Sequence, residues 1–293
     1  MSIASIGRDV IGSITRRLGA GGAEQARATN ETTSSNPSAP SRRAQVPGWD
    51  GRDAFEASRA SGPSEPGSTA RPDLAQIQRD FQTADDAVVS WSPKAGGVVP
   101  IPFAPEFEVT ATEGRMLDGL AAQRGLVGLN TFNNIKDQAL ETSSRLYPTT
   151  GTPPSHVPQD RVDEWRGQDG HRDAFRHAYW NALMTREFGA EWTKQFATAH
   201  EGMPFNAADR EAMDLYNNQV GRQIALDNPN ASPEELATLV QQAVTDGKLV
   251  LFDQQNQLQW SNKVPVDQHG LSNLVPGTGG QPVPPGDVYA DPY

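Results

Sequence analysis

The chain has 293 residues, with 25 Lys and Arg against 36 Asp and Glu, a formal net charge of −11 and no cysteine. That balance disfavours a nonspecific grip on phosphate backbones, which needs clustered cations, so nucleic acid is a poor substrate or partner. Without cysteine there are no disulfides or thiolate ligands, and any bound metal must sit on nitrogen and oxygen.

No apolar run approaches the roughly 20 residues of a transmembrane segment. The N-terminus lacks the continuous apolar core of a secretory signal. It does carry a helical stripe of Ile3, Ile6, Val10, Ile14 and Leu18, with Arg8, Arg16 and Arg17 elsewhere. This reads either as a short basic amphipathic helix for a membrane surface, a chaperone or a secretion apparatus, or as a frayed tail. Residues 1–95, rich in Ser, Gly, Pro, Ala and Arg, are predicted to be a disordered delivery region, because they hold too little apolar surface to offset ordering entropy. Within them, residues 46–58 hold Trp49 and Phe55 and read as a docking segment. Residues 71–90 predict a helix with Leu74, Ile77 and Phe81 along one side, and the prolines of residues 96–105 impose an extended path.

Residues 106–261 are predicted to form a single domain, mainly α, with a small C-terminal β-hairpin; this length is ample for one core. Thr112 is the expected N-cap of a helix carrying Met116, Leu117 and Leu120 and stopped at Gly125. A second helix over residues 127–146 aligns Phe132, Ile135, Ala139 and Leu146. The proline-rich stretch 149–165 has no period and reads as a lid or rim. Ser232-Pro233-Glu234-Glu235 is a capping box that opens a helix ending at Gly247. Residues 248–253 and 257–261 flank a polar turn and predict the hairpin, which must lean on the helices to persist. Residues 262–293 read as a Pro/Gly-rich tail.

Most of the chemically competent side chains fall in residues 169–222, which read as three consecutive helices. Asp173, His177, Trp180, Met184 and Phe188 lie within about 80° on a wheel of ~100° per residue. The apolar members commit that stripe to burial, so Asp173 and His177 must find partners there or cost several kcal/mol in desolvation. They serve either as a satisfied structural pair or as ligands. His200 falls on the apolar stripe of the second helix with Trp192 and Phe196. Glu201 follows it in the last turn, where a carboxylate opposes the helix dipole. On the third helix Asp214, Asn218 and Gly221 lie opposite the apolar side, with Asn217 at its edge. Gly221 costs about 1 kcal/mol against alanine in mid-helix, which makes sense if another group approaches closely there. Arg210 and Arg222 can pair with nearby acids or bind an anionic group. His171 is a spare ligand, whereas His156 and His269 are expected in solvent.

Three chemistries fit these residues. In the first, His177, His200 and Asp214 ligate a divalent ion such as zinc or manganese, with Glu201 and Asp173 supplying acid–base function. In the second, Glu201 and either Asp173 or Asp214 form a metal-free carboxylate pair, one protonated and one ionised, that cleaves a glycosidic bond. In the third, Asp173 and His177 form a dyad that activates water or a hydroxyl. The chain shows neither HExxH nor a nucleophile elbow.

The run DAFRHAYWNAL, with HE and then MDLYNNQVGR after it, resembles an uncharacterised bacterial domain found at the C-terminal ends of secreted, cell-wall-associated and toxin-like proteins. The likeness spans residues 117–261 and centres on Asp173, Arg176, His177, Trp180, His200, Glu201, Asp214, Asn217, Asn218 and Gly221. It implies a protein secreted or delivered into a target cell, and carries no reaction with it. The expectation is an effector or toxin-like hydrolase, metal-assisted, acting on peptidoglycan or phospholipid. Asp173, Arg176 and Glu201 are the expected catalytic groups, and Trp180, Asn217, Asn218 and Arg222 the expected substrate contacts. The rival expectation is a non-catalytic effector that binds host or partner proteins.

Overall fold

Two capping boxes mark the ends of the helical frame. Thr110 accepts from the Glu113 amide while Glu113 accepts from the Thr110 amide, which puts the cap two residues before the one expected at Thr112. Ser232 and Glu235 repeat the arrangement at the last helix, as predicted. The computed structural model describes residues 73–272 other than Phe205. The N-terminal stripe, the segment around Trp49 and the chain beyond residue 272 lie outside the described residues.

The order is α1 (Leu74–Phe81), β1 (Val88–Trp91), β2 (Lys94–Ala95), β3 (Val99–Pro100), β4 (Phe107–Thr110), α2 (Ala111–Leu146), α3 (Val162–Gly167), α4 (His171–Phe188), α5 (Ala190–Glu201), α6 (Ala208–Asp227), α7 (Pro233–Thr245), β5 (Val250–Phe252) and β6 (Leu258–Trp260). The protein is mainly helical, and the C-terminal hairpin is present with Val250 opposite Trp260 and Phe252 opposite Leu258. Two further two-stranded pairs, β1–β4 and β2–β3, were not expected. Their strands of two to four residues are too short to display an alternating pattern. Gly125 ends the first helical stretch of α2, as expected, and a second helix follows it directly across a kink. It adopts φ 63° and ψ −163° within the run of 36 residues.

Helix α4 is the centre of the frame, packed by α2, α5, α6 and α7. Its crossing with α6 is held close by Gly221, where an added Cβ would lie 2.0 Å from the Ala178 carbonyl oxygen. The expected close approach at this glycine is therefore the backbone of α4. The main core joins Phe132, Phe175, Trp180, Leu183, Phe196 and Leu236. A second cluster packs Ile77 of α1 with Met213, Phe252 and Trp260.

The folded unit is longer than residues 106–261. On the N-terminal side, α1 and β1 belong to it, because Ile77 and Trp91 are buried. On the C-terminal side, residues 262–272 dock back. The ring of His269 stacks on Trp165 at 4.8 Å between centroids, and the Ser272 amide donates to Asp169 Oδ2 at 2.6 Å. His269 is therefore buried, contrary to the expectation of a solvated tail histidine, because the α3 tryptophan supplies an apolar seat for it. His156 is exposed, as expected. The stretch 149–165 is not a bare loop, since a short 3-10 turn (Gln159–Arg161) leads into α3. Among the described residues no helix is long and apolar enough to cross a membrane.

Candidate functional site

The first turn of α4 fixes the site. Asp169, in left-handed backbone at φ 66°, donates its amide to Asp173 Oδ2 at 2.7 Å, and Gly170 opens the helix. Four residues on, one helical turn away, His177 Nε2 stands 3.3 Å from Asp173 Oδ1. From α6, Asp214 Oδ1 stands 3.6 Å from the same nitrogen. Asp173, His177 and Asp214 each offer one ligand atom within 4.8 Å of the others, and all three are buried. At the other edge of the ring, His177 Nδ1 faces Glu201 Oε1 at 3.5 Å. Three carboxylates from three helices thus surround one imidazole.

The carboxylates are not equivalent. Burial alone would raise the pKa of Asp173, but the Arg176 guanidinium and the Asp169 amide hold it below the usual carboxylate range. Arg176 Nη2 lies 2.6 Å from Asp173 Oδ1, donates to Gln168 Oε1 at 3.0 Å and stands 3.3 Å from His177 Nε2. Asp214 is pushed well above the usual range by burial and by the neighbouring charges of Asp173, Glu201 and Asp169. Its Oδ1 has no hydrogen-bond partner. One acid of the group is stabilised ionised and the other neutral, a division that acid–base sites exploit.

The donor set fits a divalent cation. One imidazole and two carboxylates suit zinc or manganese, and the unpartnered buried oxygen of Asp214 is where such a cation would replace lost solvation. With Nε2 directed at that group, Glu201 Oε1 lies 3.5 Å from the unpartnered Nδ1, on the side from which a carboxylate commonly orients a metal-binding imidazole.

The structure brings together Asp173, Arg176, His177, Glu201 and Asp214, and gives the other expected site residues different surroundings. His200 Nδ1 is 2.9 Å from Glu113 Oε1, and its ring meets the Trp180 indole edge-on at 5.6 Å. It stands outside the group of three. Trp180 is in the core against Phe132 and Phe196. Asn217 spends its amide on framework, donating to the Val250 carbonyl at 2.9 Å and accepting from the Val250 amide at 3.0 Å. Asn218 donates to Glu201 Oε1 at 3.4 Å and accepts from Asn181 at 2.6 Å, while Arg222 donates to Asn181 Oδ1 at 2.9 Å. The spare ligand His171 faces the Ser261 carbonyl through Nε2, and burial pushes its pKa down to about 4.

Arg210 finds nearby acids, as expected, while other residues of the network escaped the sequence. Arg210 donates to both oxygens of Asp169 and to Glu164. Burial would lower its pKa, but these two acids raise it instead. Glu211 accepts from the Thr83 amide at 2.5 Å and from the Gln82 side chain, which ties the segment after α1 to α6. Asn181 had a readable signal, because it lies four residues after His177 on the same face of α4. Glu113 had none, since 87 residues separate it from His200.

Among curated proteins and among solved structures nothing matches this chain significantly. Residues 126–248 match the family model described as a domain of unknown function (DUF6973). That stretch holds Asp173, His177, Glu201 and Asp214 and leaves out Glu113, α1 and the hairpin, so the segment carrying the candidate site is similar to an uncharacterised domain family.

Proposed function

We propose that this chain is a metal-assisted hydrolase of cell-envelope material, peptidoglycan or phospholipid, that works as a secreted or delivered effector of toxin-like type. The observation that carries the proposal is the unpartnered Asp214 Oδ1, buried and 3.6 Å from His177 Nε2 in a group with Asp173. Asp173, His177 and Asp214 would hold the ion, which replaces His200 of the sequence-based ligand set by Asp173. A bound divalent ion would lower the pKa of a water and so supply a nucleophile near neutral pH. Glu201, on the far edge of the ring, holds the imidazole in place rather than taking a proton from water. Arg176 neutralises Asp173. The net charge of −11 argues for substrates other than nucleic acid.

A second reading rests on the opposed pKa shifts of Asp173 and Asp214, which would serve as base and acid on a glycosidic bond without a metal. The two separate experimentally. The purified full chain is equilibrated with zinc or manganese, and bound metal is counted in the wild type, in His177→Ala with Asp214→Asn, and in His200→Ala. Release of soluble fragments from peptidoglycan and of products from phospholipid vesicles is then measured. The metal reading expects one ion per chain, lost in the double variant and kept in His200→Ala, with activity that chelation abolishes. Activity that survives chelation and is lost in Asp214→Asn would favour the carboxylate pair. No metal and no hydrolysis on either substrate would leave a non-catalytic effector that binds host or partner proteins.

A further inference from the structure

Arg222 is an arginine only 9 % exposed with no carboxylate at ion-pair distance among the described residues. Glu191 acts on it from farther away, and burial lowers its pKa to about 10. Its guanidinium donates instead to a neutral amide, Asn181 Oδ1. A buried charge with so little compensation is costly, and its place in the chain of hydrogen bonds supplies a reason for it.

A guanidinium can only donate. Asn181 must therefore turn its oxygen to Arg222, which leaves its NH2 to donate to Asn218 Oδ1 at 2.6 Å and to the His177 carbonyl at 3.1 Å. With its oxygen engaged, Asn218 turns its NH2 to Glu201 Oε1. Glu201 Oε1 in turn stands 3.5 Å from His177 Nδ1, a buried nitrogen without a hydrogen-bond partner in this geometry. The amide orientations, which neither asparagine could set by itself, are dictated from the arginine end. Two aligned amide dipoles run from a cation to an anion, and each hydrogen bond of such a chain polarises the next. The other edge of the ring agrees in sense, because Arg176 Nη2, also donor-only, lies 3.3 Å from Nε2.

We infer that Arg222 is a positioning residue that acts on His177 through Asn181, Asn218 and Glu201, holding the Nδ1–H tautomer so that the Nε2 lone pair faces Asp173 and Asp214. The purpose rests on the proposed metal reading; the hydrogen-bond direction does not. The function of the relay is to present one nitrogen, in one orientation, to whatever cation or proton occupies the Asp173–Asp214 side.

The test uses nitrogen-15 NMR of the imidazole in metal-free full-length protein, together with zinc affinity, in the wild type, Arg222→Leu and Arg222→Lys. The wild type is expected to show His177 protonated on Nδ1 alone. Arg222→Leu removes the donor and is expected to give mixed tautomers and zinc binding weakened about 10- to 100-fold, the usual range for loss of an outer-shell partner. Arg222→Lys keeps a donor and is expected to restore both. If Arg222→Leu does not fold, Asn181→Leu, which interrupts the relay at its second member, is expected to give the same mixture. A wild-type ring protonated on Nε2, or a folded Arg222→Leu with one tautomer and unchanged zinc affinity, would overturn the inference. Failure of the wild type to bind zinc would sink the metal reading alone, because the tautomer measurement decides the relay without metal.

Discussion

Replacing Gly221 by alanine tests the geometry on which the site depends. The added Cβ would meet the Ala178 oxygen at 2.0 Å, with the Ala178 carbonyl carbon and Cα at 2.6 and 2.7 Å, whereas ordinary contact begins near 3.4 Å. All three obstacles are backbone, so no side chain can swing aside, and α4 and α6 must separate by about 1.4 Å. Overpacking of this kind costs about 1–3 kcal/mol, and a backbone clash belongs at the upper end. Alanine returns about 1 kcal/mol of helix propensity, for a net loss of about 2 kcal/mol. In a folded unit of this size that lowers Tm by about 4–8 °C. The same separation pulls Asn181 from Asn218 and His177 from Asp214, so zinc affinity should fall alongside stability. Gly119, on α2, is the control: a Cβ there would have nothing within 4 Å, and Gly119→Ala should raise stability by up to about 1 kcal/mol. Thermal melts by circular dichroism measure both. A Gly221→Ala protein that melts at or above the wild-type temperature would refute the close crossing.

Other expectations follow from single contacts. Asn217→Ala strips both hydrogen bonds from the buried Val250 backbone and should cost about 2 kcal/mol or more in urea unfolding, with the near-ultraviolet signal of Trp260 lost first. Arg210→Met leaves Asp169 a buried acid without its guanidinium, while Glu164 keeps Arg161, and should cost about 3–5 kcal/mol, read by the same denaturation. Burial pushes Glu211 up to about 8 from an ordinary value of 4.5, so the folded state keeps a proton that the unfolded chain releases. Its contribution is whole below about pH 4.5 and is lost as pH rises toward 8. Glu211→Gln should therefore gain on the wild type between pH 5 and pH 8.5 in urea titrations, and an equal difference at both would count against the buried neutral acid.

Where a motif acts within one turn or one helix, the sequence was legible. Ser232 and Glu235 announced a cap, the spacing of Asp173 and His177 put them on one face, and the third helix showed Asp214 and Asn218 in register. The choice of His200 as a ligand failed to anticipate Glu113, because a partner 87 residues away leaves no periodic trace. The polar face of α6 looked as suited to water as to burial. Only the packing of α4 against Gly221 decided for burial. Strands of two to four residues carry too few alternations to announce themselves, which is why β1 to β4 were missed. His269 was misjudged from the prolines around it, since composition does not reveal a tryptophan 104 residues earlier.

Glu113 serves two masters, the start of α2 through Thr110 and the imidazole of His200, and it stands upstream of the stretch shared with the uncharacterised family. Val250, gripped by Asn217, stands downstream of it. An expression fragment trimmed to residues 126–248 would thus sever both anchors and expose the apolar surfaces that pack against Leu117, Leu120 and Phe252 to water. Fragments for crystallisation or for toxicity assays should be cut outside residues 73 and 272, with the evolutionary boundary treated as narrower than the one that packing enforces.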